Sequence, residues 1–411
     1  MMRRGMLSDY FSGVAVKRLS MVEVSQRGQG SNQHEFNSSR ALKALMGEDD
    51  RKGIPARFIW LGEEQEGLSE DSTISWYDSR RRHPTRSEYR LYYPGNPVTE
   101  MMQQGDAFFI ALRPDGSAMV IVTPAGSTMQ NQLVWLFGLD QQPEFEFTFQ
   151  PIAGDRDNEL DFAARYILDE LGIDFEEPDA DHLDRLIEPF GLRFPTTQAF
   201  SLLARNSLPH ISTQDDPDAA LMAWIEREEL LFRRLERHIV AERLRGGFMS
   251  EDDSADVDGF LSFSLSVQNR RKSRAGQSLE NHLEAVFGAC GIRFARGAVT
   301  ENRNRPDFLF PGAIEYHDPS FPNSRLTMLA SKSTLKDRWR QVLPEAQRIS
   351  DKHLFTLEPG ISENQTAQMQ TERLQLVIPY GIHETYRETQ RHWLMTMSDF
   401  IRLARARQQQ Q

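Results

Sequence analysis

An acidic, proline-containing stretch, Glu176-Glu177-Pro178-Asp179-Ala180-Asp181, divides this chain into two halves with different hydrophobic periods. It offers few large apolar residues to bury and contains a helix breaker, so it predicts a linker and limits what one continuous domain could span. Upstream, Phe58-Ile59-Trp60-Leu61, Tyr89-Arg90-Leu91-Tyr92-Tyr93 and Phe108-Phe109-Ile110-Ala111-Leu112 are short runs of aromatic and branched residues that read as strands. Pro114-Asp115-Gly116 turns the chain, and Met119-Val120-Ile121-Val122 returns as a hairpin partner. Many short strands with turn signals predict a small, mostly-β barrel or sandwich, followed by a helix over Leu160–Leu171.

Downstream, apolar residues at helical spacing predict a long amphipathic helix over Ala219–Leu244 and another over Gln277–Phe287. Phe308-Leu309-Phe310, Thr327-Met328-Leu329-Ala330, His353-Leu354-Phe355-Thr356 and Leu374–Ile378 read as buried strands. Helices are expected at Asp337–Ile349 and Trp393–Arg405. Strands alternating with helices predict an α/β domain with a mixed central sheet. The expected organisation is multidomain: 1–175 mostly β, 176–186 a linker, and 187–411 α/β.

The 411 residues contain no run of 18 apolar residues, so no membrane-spanning helix is expected. The start, Met1-Met2-Arg3-Arg4-Gly5, lacks the apolar stretch of a signal peptide. One cysteine, Cys290, excludes an internal disulfide framework and a cysteine-built zinc site. These features predict a soluble cytoplasmic protein. The net charge of −12 speaks against a nucleic-acid partner on average, yet binding responds to patches. Residues 270–345 carry 13 Lys and Arg against 8 Asp and Glu, and Arg80-Arg81-Arg82-His83 is a second basic cluster. Charge is therefore segregated along the chain, either as solvated surface or as a nucleic-acid footprint.

Asp307 follows Pro306 at the edge of a predicted strand, Lys332 ends the next strand, and Glu345 lies 12 intervening residues further on. Two carboxylates and a lysine in this order can hold Mg²⁺ beside a phosphodiester: the metal lowers the pKa of a bound water and the lysine adds fixed positive charge. Asp307 as a strand-end turn residue and Glu345 on a solvated helix face are the structural alternatives.

Four blocks carry a more specific signal: Asn269-Arg270-Arg271-Lys272-Ser273-Arg274-Ala275-Gly276, Arg305-Pro306-Asp307-Phe308-Leu309-Phe310, Tyr316-His317-Asp318 and Lys336-Asp337-Arg338-Trp339-Arg340-Gln341. In the same order they resemble the C-terminal half of the EcoRII-like type II restriction endonucleases, a branch of the PD…(D/E)xK nuclease superfamily. The resemblance is strong over residues 185–400 and collinear but weaker upstream. It implies that Asp307 and Glu345 bind Mg²⁺, with Glu345 on the helix after the second strand. It further implies that Lys332 contacts the scissile phosphate and that Glu280 and Tyr316 lie at the active site. Lys336, Asp337 and Arg338 match a triplet that reads C·G pairs, since a basic side chain can donate to guanine N7 and O6 and a carboxylate accepts from cytosine N4. Arg271, Lys272 and Arg274 would contact phosphates, which set affinity rather than sequence.

Arg80–Arg90 resembles the basic arm of the family's effector domain, a β pseudobarrel, and Ser31-Asn32-Gln33-His34-Glu35 resembles its second arm. The implied DNA contacts are Arg81, Arg86, Glu88, Arg90 and His34; the family's lysine is replaced by Pro84. The resemblance thus implies a homodimer on double-stranded DNA, each protomer cutting one strand of a CCWGG-like site. The first half would be an effector that binds a second site and covers the catalytic cleft. A modification-dependent or structure-specific endonuclease, or a DNA-binding regulator on an inactive nuclease scaffold, are the other classes open to this sequence.

Overall fold

The computed structural model describes residues 5–24, 34–62, 67–83, 85–152, 160–173, 180–249 and 254–409, with the backbone alone at Asp337. Two compact units result. The first runs to Glu176 and takes in 359–365; the second comprises 177–358 and 366–411.

In the first unit, eight strands form one sheet: β1 (Gly13–Arg18), β2 (Glu35–Asn37), β3 (Arg51–Trp60), β4 (Leu68–Asp78), β5 (Tyr89–Tyr92), β6 (Ala107–Leu112), β7 (Ala118–Thr123) and β8 (Thr148–Pro151). Their order is β2-β5-β4-β3-β7-β6-β1-β8, antiparallel throughout except for the parallel pair β3–β7. The β6–β7 hairpin expected from Pro114-Asp115-Gly116 is present. Asp115 Oδ1 accepts from the Ser117 amide at 2.9 Å, and Gly116 takes φ +83°, which a side chain would resist.

Successive side chains of a strand point to opposite faces, and here both faces are buried. Phe108, Ile110, Leu112, Val120 and Val122 enter one core, and Phe109, Ala111, Met119 and Ile121 the other. The short helices α1 (Met21–Val24), α2 (Arg40–Met46) and α3 (Pro97–Met101) flank the first core, through Val24, Leu42, Met46 and Val98. Helices α4 (Thr128–Leu136) and α5 (Phe162–Glu170) cover the second. Two-sided burial explains why β6 and β7 read as continuous apolar runs rather than alternating ones.

The second unit begins earlier than the sequence suggests. Residues 174–179 lie outside the described segments, but where a linker was expected as far as 186, α6 (Ala180–Ile187) is a helix. Leu183, Leu186 and Ile187 fall on one face at helical spacing. They pack against Phe200 and Ala204 of α7 (Thr197–Asn206) and against Leu231, Phe232 and Leu235 of α8 (Pro217–Arg245). Acidic neighbours conceal that stripe in the sequence. Helix α9 (Val257–Ala289) starts twenty residues before the expected Gln277, with Asp256 as its N-cap accepting from the Gly259 amide at 2.8 Å.

A five-stranded sheet follows: β9 (Ala295–Arg296), β10 (Phe308–Phe310), β11 (Thr327–Lys332), β12 (Lys352–Thr356) and β13 (Leu374–Val377), ordered β13-β12-β11-β10-β9. It is mixed, as expected: β11, β12 and β13 run parallel and β9–β10–β11 antiparallel. Phe287 of α9 meets Phe308 and Phe310 edge-on at 5.2 and 5.1 Å, fastening the long helix to β10. The remaining helices are α10 (Ala313–His317), α11 (Glu363–Thr371), α12 (Glu388–Arg391) and α13 (Met397–Gln409). The helix expected over Asp337–Ile349 is not continuous: a 3-10 segment spans Lys336–Val342 and turns follow to β12. Pro344 and the positive φ of Ala346 (+45°) are incompatible with a helix there. No helix among the described residues is long and apolar enough to cross a membrane.

Candidate active site

Antiparallel pairing puts the residue before β10 alongside the end of β11, so Asp307 and Lys332 meet although 24 residues separate them in sequence. Lys332 Nζ lies 3.6 Å from Asp307 Oδ2. The same oxygen accepts from the Ser331 amide at 2.6 Å and from Ser331 Oγ at 3.2 Å, which fixes its orientation from the strand that carries the lysine. Both side chains keep partial access to solvent.

Glu345 arrives from a turn, not from the helix face the family resemblance implied. Its Oε2 is buried without a hydrogen-bond partner. Burial, opposed by Lys332 and Lys352 and helped by the nearby Asp307, raises its carboxyl to about 7. Lys352, which the sequence did not flag, is itself buried and donates to the Ile349 carbonyl at 2.8 Å; burial holds its ammonium below the ordinary lysine range.

A buried carboxylate oxygen left without a donor is what a cation would satisfy, so these residues fit a divalent metal. Among the described residues no three His, Cys, Asp or Glu side chains converge as a metal cage. Two carboxylates completed by water and phosphate oxygens is, however, the manner in which Mg²⁺ usually binds.

The other expected site residues separate into groups. Glu280 sits on α9 with its carboxylate bound by Arg296 Nη2 at 2.9 Å, and Arg296 pairs with Phe308 next to Asp307. Tyr316 is fully buried on α10 and donates to both carboxylate oxygens of Glu301, at 2.8 and 2.6 Å. Burial and that bond hold the phenol above its ordinary range. Its hydroxyl is thus engaged by a carboxylate in this structure. Glu301 itself was missed, because Glu301-Asn302-Arg303-Asn304 reads as an ordinary polar loop.

Of the triplet, Arg338 is exposed and donates to the Thr334 carbonyl at 2.6 Å; the Asp337 side chain lies outside the described residues. Lys336 has φ +41°. The buried carboxylate of Glu358 accepts from the backbone amides of Leu335 and Lys336, securing this strained start; Glu358 was also missed, since it follows β12 in what reads as a loop.

The basic run on α9 is corrected. Arg274 is buried, not presented to phosphate. Its Nη1 lies 3.3 Å from Glu228, which is fully buried and bonded to His282 at 2.8 Å, and its Nη2 meets Glu229. Arg271 pairs with Glu236 at 2.6 Å, whereas Lys272 is exposed.

In the first unit, the two arms converge on one sheet edge because β2 pairs with β5. Arg90 donates to Glu35 at 2.9 Å and to Glu88 at 3.1 Å. Arg81 reaches Asp50 at 3.1 Å, Arg86 is exposed, and His34 packs edge-on against Tyr93 at 5.4 Å. Residues 31–33 and Pro84 lie outside the described segments.

Known proteins similar to this chain match it mainly in the second unit. Residues 232–401 match the family model described as EcoRII C terminal. The type II restriction enzyme EcoRII of Escherichia coli is 42% identical over 231 residues, 56% of this chain and 55% of that protein. The type II restriction enzyme SsoII of Shigella sonnei is 30% identical over 152 residues, 34% of this chain and 48% of that protein. The chain spans about half the length of the curated relatives it matches. Among solved structures, metal-depleted Ecl18kI in complex with uncleaved, modified DNA aligns at 19% identity and TM-score 0.43, covering 56% of this chain and 84% of that one. The restriction endonuclease PspGI–substrate DNA complex aligns at 15% identity and TM-score 0.43, covering 52% and 93%.

Proposed function

We propose that the chain is a Mg²⁺-dependent type II restriction endonuclease that cuts both strands of a short, CCWGG-like DNA site. The observation that carries this is the 3.6 Å approach of Lys332 to Asp307 at neighbouring strand ends, with a partnerless, buried Glu345 oxygen on a nearby turn whose carboxyl feels both charges. Asp307 and Glu345 would hold the metal. Once bound, Mg²⁺ lowers the pKa of a bound water and clamps phosphate oxygens. Lys332 places fixed positive charge beside the scissile phosphate, and Ser331 keeps Asp307 aimed. Lys336, Asp337 and Arg338 read C·G pairs, and Lys272 contacts a phosphate. Glu280 is tied to this region through Arg296.

Digestion of unmethylated multi-site plasmid with Mg²⁺ or EDTA, followed by sequencing of the ends, tests it. Discrete ends at one repeated motif, only with Mg²⁺, are expected. Scattered ends would favour a structure-directed nuclease, and no cutting of modified or unmodified DNA would favour a binding protein.

The protein is further proposed to act as a homodimer, its two-fold axis matching that of the DNA site. The first half of α9 exposes Val257, Phe260, Leu261 and Leu265, an apolar stripe suited to a second copy. Phe260→Asp is expected to shift sedimentation toward a monomer; an unchanged profile would remove this surface from the interface.

The first unit is proposed as a pseudobarrel effector that binds a second DNA site through Arg81, Arg86, Glu88, Arg90 and His34 and restrains cleavage. A chain beginning at Glu177 is then expected to cut single-site DNA faster than the full chain; equal or slower cutting would count against restraint. Beginning at Ile187 instead removes Leu183 from the core and Asp184 from its 2.6 Å pair with Arg234. That shorter form is expected to lose about 2–5 kcal/mol in urea unfolding.

A further inference from the structure

The turn that carries Glu345 has no regular structure to hold it, and Ala346 within it takes a strained φ of +45°. Something must therefore over-determine its path. Two side chains of one short segment do so, one on each side of Glu345. Asn304 Nδ2 donates to the Pro344 carbonyl at 3.0 Å, and the Gln347 amide donates to Glu301 Oε2 at 3.1 Å. That segment is itself strained, with Asn302 at φ +57° and Arg303 at +62°.

Glu301 is in turn fixed by the Tyr316 hydroxyl, which also accepts from the Arg348 amide at 3.4 Å. The Arg348 guanidinium then donates to the Asp318 and Phe321 carbonyls at 2.9 and 2.8 Å, tying the far end of the turn to the loop after α10. The chain of contacts runs from a buried phenol through a carboxylate to the backbone beside the candidate metal ligand. Among the described residues, neither Tyr316 nor Glu301 hydrogen-bonds to Asp307 or Lys332.

We infer that Glu301 is a positioning residue, which with Asn304 clamps the Glu345 turn into its metal-binding path, and that Tyr316 acts through Glu301 rather than on the phosphate. The inference rests on the proposed metal role of Glu345. It assigns to a loop carboxylate the supporting function that outer-shell partners have for metal ligands.

The test is Mn²⁺ titration of the full-length protein by calorimetry, with amide hydrogen exchange at Gln347 measured alongside. Glu301→Ala is expected to weaken Mn²⁺ about tenfold and to speed Gln347 exchange. Glu301→Gln, whose amide oxygen can still accept from Gln347, recovers most of that affinity, and Asn304→Ala shows a smaller loss in the same direction. Tyr316→Phe weakens Mn²⁺ severalfold. Were Tyr316 instead in contact with phosphate, its loss would slow cleavage at saturating metal and leave Mn²⁺ affinity unchanged. Equal Mn²⁺ affinity in wild type and Glu301→Ala overturns the inference. Mn²⁺ binding without cleavage of any DNA would count against the nuclease reading alone, with the contrast between variants still measuring the clamp.

Discussion

Replacing Glu345 with glutamine is expected to stabilise the metal-free protein at pH 8 while abolishing cleavage. Burial raises the carboxyl from the ordinary value of 4.5 to about 7. The folded state thus holds a proton that the unfolded state has released between those values. Stability therefore falls as pH rises from 4.5 through 7, and the full cost persists above it. A shift of this size corresponds to about 3 kcal/mol, which partial solvent access reduces to about 1–2 kcal/mol. Glutamine carries no charge to desolvate, so thermal unfolding at pH 8 should rise by about 2–6 °C relative to wild type. The gain should vanish near pH 4, where both proteins are neutral at this position.

Mg²⁺ reverses the order, since a ligand that binds only the folded state raises its stability. Wild type is expected to gain thermal stability with millimolar Mg²⁺ and Glu345→Gln is not. Lys332→Ala provides the contrast. Its cleavage should also fall at least about 10³-fold, with DNA binding retained, but without the pH-dependent gain of Glu345→Gln. A Glu345→Gln protein no more stable than wild type at pH 8, or one that cleaves normally, would remove Glu345 from the site.

What could be read from the sequence follows from how local its cause is. Strands β3, β5, β6, β7 and β10–β13, the β6–β7 hairpin and the cores of α5 and α8 are set by short apolar patterns and turn residues and lie where those patterns sit, whereas β1, β2, β4, β8 and β9 were not read from the sequence. The meeting of Asp307 and Lys332 was also legible, because a motif at two strand ends needs only their antiparallel pairing. The errors arise where long-range packing overrides local composition. The acidic, proline-containing Glu176–Asp181 made the start of α6 look like part of a linker, but Leu183 and Ile187 find their partners on α8, some fifty residues away. Asp337–Ile349 carries a helical pattern that Pro344 and the clamp from Glu301 and Asn304 break into turns. Glu301, Lys352 and Glu358 carry no motif at all. Each is defined by which backbone amide, carbonyl or buried charge it faces, and only the assembled fold supplies that neighbour.

Arg274 tests the same distinction energetically, and Arg274→Ala is expected to cost about 3–5 kcal/mol of folding stability. The Arg274 side chain is 9% exposed, and its guanidinium meets Glu228, which is fully buried, as well as Glu229, with Phe232 beneath it at 4.0 Å. Removing it leaves the Glu228 carboxylate inside the helical layer with the neutral-leaning His282 and the Ser201 hydroxyl bonded to it, but without its buried guanidinium partner. Burial disfavours the charged form of that imidazole. An uncompensated buried charge costs more than the lost contact itself, because the partner's desolvation is no longer offset. Lys272, two residues earlier on the same helix, is exposed. Lys272→Ala should unfold within about 0.5 kcal/mol of wild type and instead reduce the salt dependence of DNA binding by about one ion. Urea unfolding and salt-dependent DNA binding of both variants separate the roles. An Arg274→Ala protein with an unchanged unfolding midpoint and weakened DNA binding would return that arginine to the phosphate-contacting surface its sequence context suggests.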